Sequence, residues 1–238
     1  MERVAIIGLG YIGSSIGYTL RSSKKRNRPK VIGFDIEQKI QKKAEKAGSI
    51  DQGVWGMPDA VRDADLVVLA TPAMAIQDIF AQMAPHLMPD TTVTDTSTSM
   101  REVSAWARDS LPRSAGFVSS HPLVNGDGIE SATGDAFKDA QWAVAPEPDA
   151  PPHSVRAVVQ LVERMGAKPF FVGMEEHDSY VAAAAHLPIV LSNALMLGAA
   201  RSPSWDEISR FAGEDFRCLR SLCSLSAHSS RCNKYGAG

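Results

Sequence analysis

Gly8, Gly10 and Gly13 form Gly-x-Gly-x-x-Gly, with Leu9, Tyr11 and Ile12 between them, directly after the apolar run Val4-Ala5-Ile6-Ile7. A strand followed by these glycines and then a helical pattern is built to hold a pyrophosphate. The first glycine makes the tight turn, the second admits the phosphates to the backbone, and the third lets helix and strand pack closely. The helix then aims unpaired N–H groups and its positive dipole end at the anion. A second apolar run, Val31-Ile32-Gly33-Phe34, ends in Asp35, 22 positions past Gly13. A carboxylate there accepts hydrogen bonds from both ribose hydroxyls and repels a 2′-phosphate, which favours NAD over NADP. Asp35 also reads as an N-cap for a helix over residues 37–47, and the two roles are compatible.

A nicotinamide carries out hydride transfer, so the protein must supply orientation and a proton acceptor. Of the six histidines, His121 is the best candidate. It stands where the strand Gly116-Phe-Val-Ser-Ser120 ends and before a glycine-containing loop, Leu123 to Gly134. A neutral imidazole takes a proton near pH 7. From position alone a structural role, capping the strand end, is equally open. His186 lies in an apolar helical stretch and reads more readily as a core histidine. Thr71-Pro72 ends another apolar strand, Asp65 to Ala70, at a place where doubly wound sheets bind ligands. No Cys/His/acid cluster has metal-ligand spacing, so no metal is implied.

The elements that position these residues alternate strand and helix up to residue 173. This predicts an α/β fold, a Rossmann-type doubly wound, mostly parallel sheet, as a dinucleotide-binding domain over residues 1–173. Residues 174–238 then form a partial helical domain. Residues 180–200 contain no Asp, Glu, Lys or Arg. That length can span a bilayer, but His186, Pro188, Ser192 and Asn193 interrupt it. A helix buried on several sides, in a second domain or a homodimer interface, is the favoured reading. From about residue 218 the chain turns serine-rich and aperiodic, with Cys218, Cys223 and Cys232 all in this tail. An odd, clustered set of cysteines is no secreted disulfide framework, and no leader is evident at the N-terminus, so the chain reads as cytoplasmic. Lys+Arg 25 against Asp+Glu 27 suggests neither a nucleic-acid nor a membrane-surface partner.

The motifs occur in the order seen in the prephenate and arogenate dehydrogenases. They are Gly8 to Gly13, Val31 to Asp35, Ala64 to Pro72, Val93-Thr-Asp95, His121-Pro122, Trp142 with Pro146, and Glu175-Glu-His-Asp178 followed by His186-Leu-Pro188. The chain resembles that family over residues 1 to about 213. The resemblance implies NAD-dependent oxidative decarboxylation of a small carboxylate substrate on the route to tyrosine. It also implies a helical dimerisation domain and a catalytic role for His121 toward the ring hydroxyl. Carried onto this chain, it places Asp95 and Thr71-Pro72 at the cofactor, and Thr98 where the family has an active-site serine. Thr98, Asp127, His186 and Arg217 would then face the substrate.

There are departures. Met100 stands where the family has a lysine, and Ile189 where it has a second histidine. Gly213-Glu-Asp-Phe216-Arg217 only roughly echoes the segment that supplies the substrate arginine, and the helical domain looks truncated. Two other readings stay open. A β-hydroxyacid dehydrogenase would carry a catalytic lysine on the first helix of its second domain, and residues 180–200 have none. A nucleotide-binding protein without turnover would fit Met100 and Ile189.

Overall fold

Val4 to Ile7 are fully or almost fully buried because their strand runs through the middle of a sheet covered on both faces. The computed structural model describes residues 1–22, 28–126, 128–214 and 216. Eight strands form one sheet: β1 (Arg3–Ile7), β2 (Lys30–Phe34), β3 (Gln52–Gly53), β4 (Leu66–Leu69), β5 (Thr92–Asp95), β6 (Gly116–Pro122), β7 (Gln141–Pro146) and β8 (Lys168–Phe171). Their order is β3-β2-β1-β4-β5-β6-β7-β8. Every pairing is parallel except β6 with β7.

Successive side chains of a strand point to opposite faces. Val4 and Ile6 accordingly join one core, with Ile16 and Leu20 of α1 (Tyr11–Ser22) and Val158, Leu161 and Val162 of α6 (Pro152–Arg164). Ala5 and Ile7 join the other. That second core includes Ala60 and Val61 of α3 (Met57–Val61), Ile76 and Phe80 of α4 (Ala73–Met83), and Val103 and Ala107 of α5 (Met100–Ser110). Between α1 and α3 lies α2 (Gln38–Ala47). The strand order reverses between β1 and β4, and the crevice outside their C-terminal ends is where doubly wound sheets bind ligands.

The expected Rossmann-type sheet is present, and it differs from the sequence reading in two places. The loop holding Trp55 and Gly56 is flanked by β3 and α3, which are too short to show a period. The strand before His121 also runs two residues further, so His121 and Pro122 lie inside β6, paired with Ala143 and Trp142.

The chain divides into two compact units, Met1–Asp178 and Ser179–Gly238. After β8 come α7 (Met174–Val181), a π-helical stretch Ala182–His186, α8 (Leu187–Ala200) and α9 (Trp205–Arg210). The run Met174–Ala200 is long and apolar enough to cross a membrane by length and composition. Of the two covers expected for it, a second domain or a dimer interface, the described residues of this chain supply the first only in part. Leu187, Val190, Leu191, Leu195 and Leu197 are all exposed, Val190 by 61%. A stretch this apolar, with Ser192 and Asn193 its only polar side chains from 187 to 200, has no polar face to say which side is covered.

Candidate active site

Gly8 adopts φ +90°, and a Cβ there would lie 2.4 Å from the Ala70 carbonyl oxygen. Only glycine fits, both in conformation and in space. A Cβ on Gly13 would lie 1.9 Å from the Gly8 carbonyl oxygen, because α1 is packed directly onto the turn. At Gly10, by contrast, a Cβ would meet nothing within 4 Å. The turn is therefore closed on its protein side and open on the side a pyrophosphate must approach, at the N-terminus of α1. Ile12 packs against the core below. The ring of Tyr11 lies under Gly126, where an added Cβ would come within 2.3 Å of it.

Asp35, half-buried at the end of β2, ties the turn to the second strand. Its Oδ2 accepts the Leu9 N–H at 2.8 Å and its Oδ1 the Glu37 N–H at 2.9 Å. The N-cap of α2 is Glu37, so the capping alternative for Asp35 does not hold. Thr71 stands at the end of β4, its Cγ2 against the space beside Gly8. Its buried Oγ1 has no hydrogen-bond partner, a hydroxyl able to donate to a ligand in this crevice. Pro72 is exposed at the N-terminus of α4. The open turn, the part-exposed acid and this hydroxyl fit a dinucleotide.

Asp95 requires a correction. Its side chain is fully buried and cannot reach a cofactor. Oδ2 accepts from Ser97 N at 3.0 Å and Ser97 Oγ at 2.5 Å, and Oδ1 accepts from Ser119 Oγ at 2.8 Å and Ser120 N at 3.3 Å. Burial pushes this carboxyl above the ordinary carboxylate range, against the hydrogen bonds from Ser97 and Ser119. Asp95 braces the turn after β5 against β6. Thr98, in that turn, is half-buried.

His121 is half-buried near the end of β6. Its Nδ1 lies 3.0 Å from His177 Nε2, with the rings edge to face at 5.2 Å. His177 is only 4% exposed. Its Nδ1 lies 2.9 Å from Asp178 Oδ1. The Asp178 carboxylate also accepts the first two N–H groups of α5, Met100 N at 3.0 Å and Arg101 N at 3.1 Å. Met100, at the position of the family's lysine, has a fully buried side chain packed with Ala143, Ala145, Phe170 and Met174. It therefore offers the site nothing in place of that charge.

The glycine turn, Asp35, Thr71, Thr98 and His121 are all carried at or just beyond the C-terminal ends of the parallel strands β1, β2, β4, β5 and β6. His186 belongs to the second unit and is exposed at the end of the π-helical stretch. Asp127, Arg217 and the cysteine-bearing tail lie outside the described residues. Sequence reasoning quoted Glu175-Glu-His-Asp178 as a motif and gave His177 and Asp178 no role. An adjacent His-Asp pair in the first turns of a helix was the available signal.

A family model described as the nucleotide-binding domain of prephenate dehydrogenase matches residues 16–170. The chain is 29% identical over 221 residues to the cyclohexadienyl dehydrogenase of Zymomonas mobilis, covering 91% of this chain and 74% of that protein. It is 27% identical over 233 residues to the prephenate dehydrogenase of Bacillus subtilis, covering 94% of this chain but 61% of that one. Among solved structures, prephenate dehydrogenase from Aquifex aeolicus, determined with hydroxyphenyl propionate and NAD+, superposes with a TM-score of 0.85 at 24% identity. That match covers 95% of this chain and 79% of the other. Synechocystis arogenate dehydrogenase gives 0.76 at 23% identity, covering 98% and 86%.

Proposed function

This chain belongs to the prephenate dehydrogenase family, and from that premise we propose that it oxidises and decarboxylates prephenate or arogenate with NAD. The observation that carries the reading is His121, an imidazole held by a buried partner at the ligand edge of a dinucleotide-binding sheet. When bound, NAD accepts the hydride from the ring carbon. The open face at Gly10 and the N-terminus of α1 receive the pyrophosphate, and Asp35 receives the ribose hydroxyls. His121 takes the hydroxyl proton as the hydride leaves, and Thr98 offers its hydroxyl to the substrate. Loss of carbon dioxide makes the ring aromatic and the step irreversible. Steady-state assays of both substrates, each with NAD and with NADP, test the reading: turnover of at least one substrate with NAD is expected. Tight NAD binding without turnover of either would favour the nucleotide-binding protein, to which the buried Met100 lends support.

Cofactor choice gives a second test. Asp35→Ser combined with Ile36→Arg, at the 90% exposed position beside it, should abolish the NAD preference and confer NADP use. A wild-type enzyme that already prefers NADP would refute the assignment of Asp35.

The apolar residues left exposed on α8 support a homodimer built on residues 175–215. Burying a Leu or Val side chain contributes ~1.5–3 kcal/mol, so a face with several of them needs cover. A second copy supplies that cover by symmetric contact or helix exchange. Light scattering of the purified chain should give the mass of a dimer, and a monomer would refute it. With no framework of cysteines and a balanced charge, the cytoplasm is the proposed compartment, with neither membrane nor nucleic acid as partner.

A further inference from the structure

Asp178 touches two parts of the site at once. Helix α5 begins after Ser99, whose side chain makes no capping hydrogen bond. The Asp178 carboxylate does that work from 78 residues away, accepting the N–H groups of Met100 and Arg101. A carboxylate at a helix N-terminus is held by those donors and by the dipole. The turn it closes is the one that carries Thr98.

The same carboxylate dictates where the protons sit on two histidines. Both of its oxygens already receive backbone N–H donors, so toward His177 Nδ1 it acts as an acceptor. His177 Nδ1 therefore carries a hydrogen, and its Nε2 in the neutral ring is a lone pair. Only the Nδ1–H tautomer of His121 can satisfy that lone pair across 3.0 Å. The basic lone pair of His121 is thereby placed on Nε2. Because His177 is buried, little water competes for either bond.

We propose that Asp178 and His177 are positioning residues for the dehydrogenase reaction: the pair fixes the tautomer of His121 while the same carboxylate fixes the turn bearing Thr98, so that base and hydroxyl are set by one group. This rests on the reading of His121 as proton acceptor given above. In the step, the substrate O–H bond breaks and its proton bonds to His121 Nε2, while the ring C–H pair passes as hydride to NAD. The imidazolium keeps its Nδ1–H donated to His177, with the Asp178 charge behind it. As carbon dioxide departs, the proton returns to the oxygen of the newly aromatic phenol.

The full chain with His177→Phe tests this, beside His177→Gln, whose amide offers an acceptor to His121 and a donor to Asp178. His177→Phe should lower kcat by about 10–100-fold, as loss of an orienting partner does elsewhere, with KM and NAD affinity within about twofold. His177→Gln should recover most of that loss. Nitrogen-15 NMR of histidine-labelled protein should show His121 as the Nδ1–H tautomer in the wild type and in the Gln variant, and shifted toward Nε2–H in the Phe variant. If the Phe variant fails to fold, Asp178→Asn replaces it. That variant keeps an oxygen for one donor and sets an amide against the other, and the same loss of the Nδ1–H tautomer is expected. A His121 tautomer that none of these changes alters, or an unchanged kcat, overturns the proposal. If the wild type oxidises neither substrate, the reading of function falls, and the nitrogen shifts still decide the positioning.

Discussion

Replacing His121 with Asn is expected to lower turnover by roughly 10²–10⁴ and to leave NAD affinity nearly unchanged. Asparagine is short and uncharged and can bond to His177, but it cannot accept a proton to form a stable cation. The loss therefore falls on the chemical step. NAD affinity should be spared because the glycine turn is built on β1 and α1, and Asp35 stands at the end of β2. The backbone at 121 is insulated as well, since it is paired with Ala143 in the sheet. Titration of NAD by calorimetry, alongside steady-state kinetics, separates the two effects. Unaltered turnover would return His121 to a structural role at the strand end.

Restoring the family's lysine by Met100→Lys should destabilise the protein by about 3–5 kcal/mol, the cost of a buried charge without a partner. It should not raise turnover. Position 100 is the first residue of α5, and its side chain is fully buried among Ala143, Ala145, Phe170 and Met174. An ammonium among these apolar side chains loses its water, and the nearby Asp178 carboxylate is already engaged by two backbone N–H groups and His177. The urea midpoint of the variant measures the effect. A variant as stable as the wild type, with faster turnover, would mean that position 100 faces the substrate.

The glycine turn was legible in the sequence because each glycine's job is local. Positive φ at Gly8, open space at Gly10 and close packing at Gly13 all arise within one strand–turn–helix. The place of His121 near the C-terminal end of its strand was legible for a related reason, although the strand runs on through it to Pro122. Asp95 was placed at the cofactor by the family resemblance alone, and resemblance does not say which way a side chain turns. Ser97 and Ser119 turned it inward. His177 was hidden for the opposite reason. Its partner is 56 residues away, and the pair meets only after the chain has passed through β7, α6 and β8. The segment 187–200 has too few polar residues to mark a face, so its pattern gave composition and length but not that Leu187, Val190, Leu191, Leu195 and Leu197 stand exposed among the described residues.

The reversal of direction at β7 also bears on how such an enzyme changes over evolutionary time. Strand β5 pairs with β6 only as far as Val118, and the four residues from Ser119 to Pro122 are secured by β7 running the other way. His121 thus stands on a two-stranded ribbon that extends past its parallel neighbour, and the loop over residues 123–134 begins only after it. A change of length in that segment leaves the pairing of His121 with Ala143 in place. The ladder and the segment after it are thus fixed by different partners, the one by β7 and the other by α1, and each can change while the other keeps its place.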